Sequence, residues 1–315
     1  MDNLIGNTPL IKIKYKYKNN IRTMYAKLEY YNYTGSIKDR IANYIIKESY
    51  KDNILKKDMP IIEATSGNTG ISFSALGRYY NHDVHIFMPD WVSSERINIM
   101  KLYGAKVYLV SKEEGGFKEC IKRADELANK INGFRPNQFD NIKNIEAHYN
   151  TTGKEILDKV NNINCFVSGI GTGGTLMGVS KRLKEYDNNI KIVAIEPENL
   201  PILSKGISEG GHKIEGIGDD FIPSLVDKNI IDEVIDINDI DAINMSKKLA
   251  NTFGLGVGIS SGANFLGCVL SGYDNVVTIF TDDLKKYLST DLSKEINTNK
   301  DLISNNIELI SMESI

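Results

Sequence analysis

One pattern constrains the fold of this 315-residue chain more than any other. An apolar strand-like run, a glycine turn carrying hydroxyls and a helix-like run recur along most of its length. Residues 60–65 read as a strand, Ser66-Gly-Asn-Thr-Gly70 as its turn and Ile71 to Tyr80 as the helix. Val84 to Met88 is the next strand, closed by Pro89. Ser93 or Ser94 is placed to cap a helix carried by Arg96 to Tyr103 toward Gly104. Lys106 to Val110 is again strand-like, and Phe117 to Lys130 is helical by the spacing of Cys120, Ala124, Leu127 and Ile131. A second set follows Gln138-Phe139. It runs through a helical stretch over 144–160, a strand at Cys165 to Ser168, the turn Gly169-Ile-Gly-Thr-Gly-Gly174, a helix to Tyr186 and a strand at Lys191 to Ile195. Pro197 to Pro223 is loop-rich. A helix over 241–253 precedes the turn Gly256 to Gly262 and a further helix, and Asn275 to Phe280 is the last strong strand. Such alternation predicts parallel strands with crossover helices, an α/β fold in two halves that each carry glycine turns at strand ends.

Composition excludes several function classes. The chain is 41% hydrophobic and 25% charged with a net charge of −3, so no global field recruits nucleic acid or an acidic membrane surface. Its three cysteines, Cys120, Cys165 and Cys268, have no metal-ligand spacing and suit a reducing compartment; no metal is expected. No apolar run reaches transmembrane length, and the start lacks a secretory pattern, so a soluble, cytoplasmic protein is expected. Between Ile11 and Lys18, lysines alternate with Ile13, Tyr15 and Tyr17. That reads as an edge strand whose lysines discourage aggregation, in preference to a nucleic-acid-binding strand. His82, His85, His148 and His212 read as surface or strand residues.

Chemistry concentrates in the turns. Gly171-Thr-Gly-Gly-Thr175 follows a strand and opens a helix, where backbone N–H groups, the helix dipole and threonine hydroxyls suit a phosphate. Gly169, Gly171 and Gly174 also satisfy G-x-G-x-x-G with Glu196 ending the next strand, which is the dinucleotide-binding layout; a ligand-free tight turn is the third reading. Thr65, Ser66, Asn68 and Thr69 present hydroxyls and an amide at another helix start, suited to a carboxylate or phenolic oxygen. Ser260 and Ser261 sit in the third turn. Lys38, in Asn32-Tyr-Thr-Gly-Ser-Ile-Lys-Asp-Arg40, lies at a fourth strand-to-helix junction. Together these predict one cleft holding a phosphorylated cofactor, with a desolvated lysine fit for Schiff-base chemistry.

At this point the residues reach a resemblance. Ile5-Gly-Asn-Thr-Pro-Leu10, Gly35-Ser-Ile-Lys-Asp-Arg40, Thr65-Ser-Gly-Asn-Thr-Gly70, Gln138-Phe139, Thr151-Thr-Gly153, Gly171-Thr-Gly-Gly-Thr175, Gly216-Ile-Gly218 and Gly258-Ile-Ser-Ser-Gly262 stand in one order. That set resembles the cysteine synthase (O-acetylserine sulfhydrylase) and cystathionine β-synthase family over residues 4 to about 292. The resemblance implies a fold-type-II pyridoxal-phosphate enzyme, like tryptophan synthase β, with two open twisted sheets flanked by helices and the active site in the cleft between domains. It implies a smaller domain over 36–145, a larger cofactor-binding domain over 1–35 and 146–292, and a tail over 293–315. Lys38 would carry pyridoxal 5'-phosphate as an internal aldimine and move the α-proton. Asn68 would meet the cofactor's phenolic oxygen, Gly171, Thr172, Gly173, Gly174 and Thr175 its phosphate, and Ser260 (or its neighbour Ser261) its ring nitrogen. Thr65, Ser66, Thr69, Gln138 and Gly216 would hold the substrate. The implied reaction is loss of a β-substituent through an aminoacrylate, then addition of sulfide or a thiol. O-acetylserine to cysteine leads, and hydrogen-sulfide-releasing breakdown of cysteine is the alternative. A homodimer is implied too. The resemblance displaces the nicotinamide-dehydrogenase reading and leaves Glu196 structural.

Two departures bear on the substrate. Asp219-Asp220 follow Gly216-Ile-Gly218 where cysteine synthases carry small residues, and Asp282-Asp-Leu-Lys-Lys-Tyr-Leu-Ser289 replaces Ser-Gly-Glu-Arg-Tyr-Leu-Ser. An acidic group there would act as general acid or base for water or a thiol, so Asp219 and Asp220 are expected to widen the chemistry.

Overall fold

The computed structural model describes residues 1, 3–295 and 301–315. In chain order the first strands and helices are β1 (Leu10–Tyr17), β2 (Asn20–Leu28), α1 (Lys38–Lys51), β3 (Ile61–Ala64), α2 (Asn68–Tyr79), β4 (Val84–Pro89), α3 (Ser94–Leu102), β5 (Lys106–Val110) and α4 (Gly116–Ile131). There follow α5 (Ile142–Asn150), α6 (Thr152–Leu157), β6 (Cys165–Gly169), α7 (Gly174–Tyr186), β7 (Lys191–Pro197), β8 (Glu233–Ile237), α8 (Asp239–Phe253), α9 (Ile259–Ser271), β9 (Val276–Phe280) and β10 (Ile307–Ser314).

They build two sheets. The larger has the order β10-β1-β2-β9-β6-β7-β8, the smaller β3-β4-β5. The pairs joined through a crossover helix, β3–β4, β4–β5 and β6–β7, are parallel as the alternating pattern requires, and β7–β8, joined by a long loop, is parallel too. The inner strands are buried on both faces: all five residues of β9 are inaccessible, and so are the first four of β6. Helices α8 and α9 pack one face of the large sheet through Ile243, Met245, Leu249, Phe265 and Leu266. The other face meets α7 through Leu176, Val179 and Leu183. The small sheet lies between α1, α2 and α3 on one side and α4 on the other.

Five points differ from the sequence reading. The lysine-rich β1 is not an edge strand. It is paired on both sides, with β2 through the Lys18-Asn19 turn and with β10. Both turn residues have positive φ, 48° and 65°, the backbone of a tight hairpin. The outward lysines instead pair across strands, Lys12 with Glu313 at 3.2 Å and Lys16 with Glu308 at 3.8 Å. The C-terminal segment is therefore a strand through Ser314; residues 296–300 lie outside the described residues. The helix over 144–160 is two, broken at Thr151, whose φ of −119° and ψ of −75° leave the helical range. Strand β8 escaped notice, because Glu-Val-Ile-Asp-Ile on a half-exposed sheet edge looks like polar loop. Finally, Ser93 precedes α3 yet caps nothing: its hydroxyl donates to the Lys286 carbonyl 2.8 Å away.

Candidate active site

Lys38 is the first residue of α1, and its neighbours in the chain are tied down. The buried Asp39 carboxylate accepts from the Thr34 N–H (2.6 Å), the Thr34 hydroxyl (2.5 Å) and the Ser72 hydroxyl (2.7 Å). Arg40 binds Glu29 and Glu155 through paired N–H···O bonds of 2.6–2.8 Å, and Lys27 joins Glu155 at 2.6 Å. This buried network is the reason a Lys-Asp-Arg sequence can sit inside the protein. The Ile37 N–H donates to the Thr281 carbonyl, which lashes the turn to the end of β9. Lys38 faces a narrow chamber of about 40 Å³ that opens on an outer cleft of about 700 Å³, within the range of small-molecule sites. Burial lowers its pKa below the ordinary lysine value, opposed by the carboxylates of Asp282 and Asp219.

The strand β6, the Gly169–Gly173 turn and the start of α7 form the chamber's second wall. Gly173 adopts φ +84°. A Cβ on Gly171 would stand 2.5 Å from the Gly216 carbonyl, and one on Gly174 would overlap the Asn144 carboxamide. Only glycine fits either place. The Thr172 hydroxyl oxygen accepts from Asn144 Nδ2 at 2.9 Å and from the Gly174 N–H at 3.4 Å, so its own O–H is left to donate. The Thr175 hydroxyl lies 3.2 Å from His148 Nε2, whose Nδ1 is 2.9 Å from the Thr152 hydroxyl. Burial holds His148 neutral, with Lys38 and Arg40 lowering its pKa further. In the tautomer that carries its proton on Nε2, His148 accepts from Thr152 and donates to Thr175, which leaves the Thr175 proton free for a ligand. The first N–H groups of α7 have no intrahelical partner, so this end of the chamber is a ready anion cradle.

The other predicted residues converge on the same chamber: Thr65, Ser66, Asn68, Thr69, Gln138, Gly171, Thr172, Gly216, Asp219 and Ser260 all line it. Thr69 gives its proton to Gln138 Oε1 (2.5 Å), and Gln138 Nε2 donates to the Ala64 carbonyl (2.9 Å), so the second Nε2 proton is the open donor. The Ser260 hydroxyl lies 2.7 Å from that of Thr281, whereas Ser261 accepts the Thr281 N–H at 3.0 Å and faces away. Asp219 lines both chamber and cleft; its carboxyl is pushed up to about 7 by burial, with Asp220 adding and Lys38 opposing. Asp220 lines only the cleft and is ion-paired to Lys118 at 2.8 Å.

Sequence reasoning missed three residues. His148 lies behind the threonine turn, not on the surface, and His82 is buried too, whereas His85 is a strand residue of β4 as expected. Arg96, buried on α3, ion-pairs with Glu215, stacks on Tyr287 at 4.8 Å and lies 4.0 Å from Asp282. One arginine in a short helix without an apolar face carries no signal of that. Glu215 adjoins Gly216-Ile-Gly218 and was legible only as its neighbour. Glu196 is structural, accepting the N–H groups of Leu203 and Ser204.

An amine of lowered pKa, an anion cradle, a hydroxyl and an amide donor at one chamber are groups that suit pyridoxal phosphate. The family model for pyridoxal-phosphate dependent enzymes matches residues 1–282. The chain belongs to the pyridoxal-phosphate dependent enzymes. Within that family it is 43% identical to cysteine synthase B of Campylobacter jejuni over 92% of this chain and 96% of that protein. Among solved structures it is similar to a hydrogen sulfide-producing enzyme of Fusobacterium nucleatum, with a TM-score of 0.95 and 47% identity over 100% of this chain and 98% of that one. It is also similar to an O-acetylserine dependent cystathionine β-synthase of Helicobacter pylori, with a TM-score of 0.84 and 36% identity over 94% and 97%. These are fold-type-II relatives, and the two sheets with the cleft between them are that fold. Among the described residues no helix is long and apolar enough to cross a membrane.

Proposed function

We propose that the protein replaces the β-substituent of an amino acid, with O-acetyl-L-serine and sulfide giving L-cysteine and acetate as its leading reaction. The observation that carries this is the placement of Lys38, Asn68, Gly171, Thr172 and Ser260 around one chamber, with Gly173 to Thr175 continuing from Thr172 into the start of α7. Bound pyridoxal phosphate supplies an electron sink for the pair released at the substrate's α-carbon. Lys38 would hold the cofactor and, as a free amine, would take the α-proton; burial lowers its pKa and so favours the neutral form that a base needs. Thr172 and Thr175 would hold the cofactor's phosphate with the α7 N–H groups and Ser260 would meet its ring nitrogen, while Thr65, Ser66, Thr69 and Gln138 would hold the substrate carboxylate, with Gly216 also at the substrate.

A second reading rests on Asp219. Its carboxyl titrates near neutrality between the chamber and the cleft, placed to take a proton from an incoming water or thiol. That favours cysteine as a donor: its β-carbon would lose hydrosulfide and gain hydroxyl from water or thiolate from a thiol, the nucleophile's proton passing to Asp219 and on to the departing hydrosulfide, while Lys38 would return the α-proton. Product analysis with O-acetylserine, serine and cysteine, each with and without sulfide, separates the two. Lys38→Ala is expected to abolish the yellow colour of the purified protein and its turnover; a variant that kept both would refute the Lys38 assignment. We further propose a cytoplasmic homodimer, checked by sedimentation.

A further inference from the structure

The stretch Asp282 to Tyr287, set apart in the sequence, reaches the chamber through Asn68. The Asn68 side chain is held at both ends. Its Oδ1 accepts from Lys286 Nζ at 3.0 Å, and its Nδ2 donates to Asp282 Oδ2 at 2.7 Å. Both holders are buried, Lys286 to 4% and Asp282 to 0% exposure. Each is fixed in turn. Lys286 Nζ also donates to the Gly35 carbonyl at 3.0 Å, in the Lys38 turn, and its own carbonyl accepts from Ser93. Asp282 Oδ2 accepts from the Tyr287 hydroxyl at 2.7 Å, and its backbone bridges to Ser36.

An ammonium can only donate and a carboxylate can only accept. A flipped Asn68 would set its carbonyl against Asp282 and its NH₂ against Lys286, two repulsions in a water-poor site. The amide therefore has one orientation, with one Nδ2 proton taken by Asp282 and the other left over. Asn68 lines the same chamber as Lys38, so the spare proton belongs to whatever oxygen enters there. The ammonium on Oδ1 also draws density from the amide and strengthens its remaining N–H as a donor.

We propose that Asp282 and Lys286 are positioning residues that lock the Asn68 carboxamide with one N–H aimed at the cofactor's phenolic oxygen. This rests on the pyridoxal-phosphate reading of the chamber and adds a residue pair to it. The two protonic forms of the bound cofactor, the visible-absorbing and the near-ultraviolet-absorbing, differ at that oxygen, so their ratio reads the donor directly.

The test measures that band ratio in purified holoenzyme. Lys286→Met is expected to shift it in the direction that Asn68→Ala does, by up to about tenfold, the scale of losing a charge-assisted hydrogen bond. Lys286→Arg, which keeps a charged donor, is expected to stay near the parent value. In an Asn68→Ala background, Lys286→Met is expected to add nothing. An unchanged ratio in Lys286→Met, or a shift that adds fully to that of Asn68→Ala, overturns the proposal. Should Lys286→Met fail to fold, Asp282→Ser is read the same way, and an unchanged ratio there overturns it equally. Lys38→Ala separates the two levels of inference: a visible band surviving in that variant defeats the reading of the chamber, whereas its loss beside an unchanged Lys286→Met ratio defeats only this pair's role.

Discussion

At the scale of single residues, Asp219 makes the sharpest predictions. Its carboxyl titrates at about 7, so it is the acid below that pH and the carboxylate above. If it serves as base toward water or a thiol, turnover of cysteine rises through pH about 7 and Asp219→Asn flattens that rise. Turnover of O-acetylserine with sulfide, whose nucleophile arrives already deprotonated, is expected to change less. Unchanged cysteine and serine turnover in an Asp219→Asn, Asp220→Asn double variant refutes the role. Stability follows from the same shift. A folded-state pKa above the ordinary carboxylate value contributes stability that is present below about pH 4 and lost as pH rises through about 7. Asp219→Asn is therefore expected to raise the melting temperature at pH about 8 and leave it unchanged near pH about 4, by calorimetry at both. In the sequence Asp219 and Asp220 are equivalent neighbours. The turn after Gly218 sends one carboxyl inward and the other to Lys118, and adjacency in sequence carries no information about that.

At the scale of elements, the glycine turns were legible because their constraint is local: strand, turn and helix meet within a few residues, and a Cβ has nowhere to go. Gly174→Ala is expected to drive its methyl into Asn144, costing about 1–3 kcal/mol by chemical denaturation and weakening cofactor retention in dialysis. A variant as stable as the parent would mean that Asn144 moves aside freely. The reading of β1 as an edge failed for the opposite reason. Its true neighbour, β10, lies almost three hundred residues away, and weakly apolar Ile-Glu-Leu-Ile-Ser-Met has no pattern that names a partner. The Lys12 and Lys16 pairs are exposed and worth under about 1 kcal/mol each, so the ladder and buried Ile307 carry the strand. Deleting residues 307–315 is expected to lower the melting temperature by about 5 °C and to promote self-association through the bared β1 edge, read by calorimetry and light scattering.

At the scale of the whole molecule, function depends on contacts between the helices of the small sheet and the loops of the large one. Arg96 with Glu215, Asn68 with Lys286, and Ser93 with the Lys286 carbonyl all make that span. The Arg96–Glu215 pair stands where chamber meets cleft, since Glu215 lines both. Glu215→Ala is expected to speed pyridoxal-phosphate loading of the apoprotein by up to about tenfold, the scale of one charged hydrogen bond, in stopped-flow absorbance; an unchanged rate would show that the pair does not limit entry. The sequence alone determined what local sterics and short-range patterning determine: an α/β order of elements, three glycine turns at strand ends, and a lysine at a fourth. Tertiary structure decided what depends on distant segments meeting: that β1 is covered, that Asp219 and not Asp220 reaches the chamber, that His148 backs Thr175, and that Asp282 and Lys286 grip Asn68. These partners lie tens to hundreds of residues apart, where only the packing of the two sheets sets distance. The chemistry began as an isolated motif around Lys38, and the fold enclosed it.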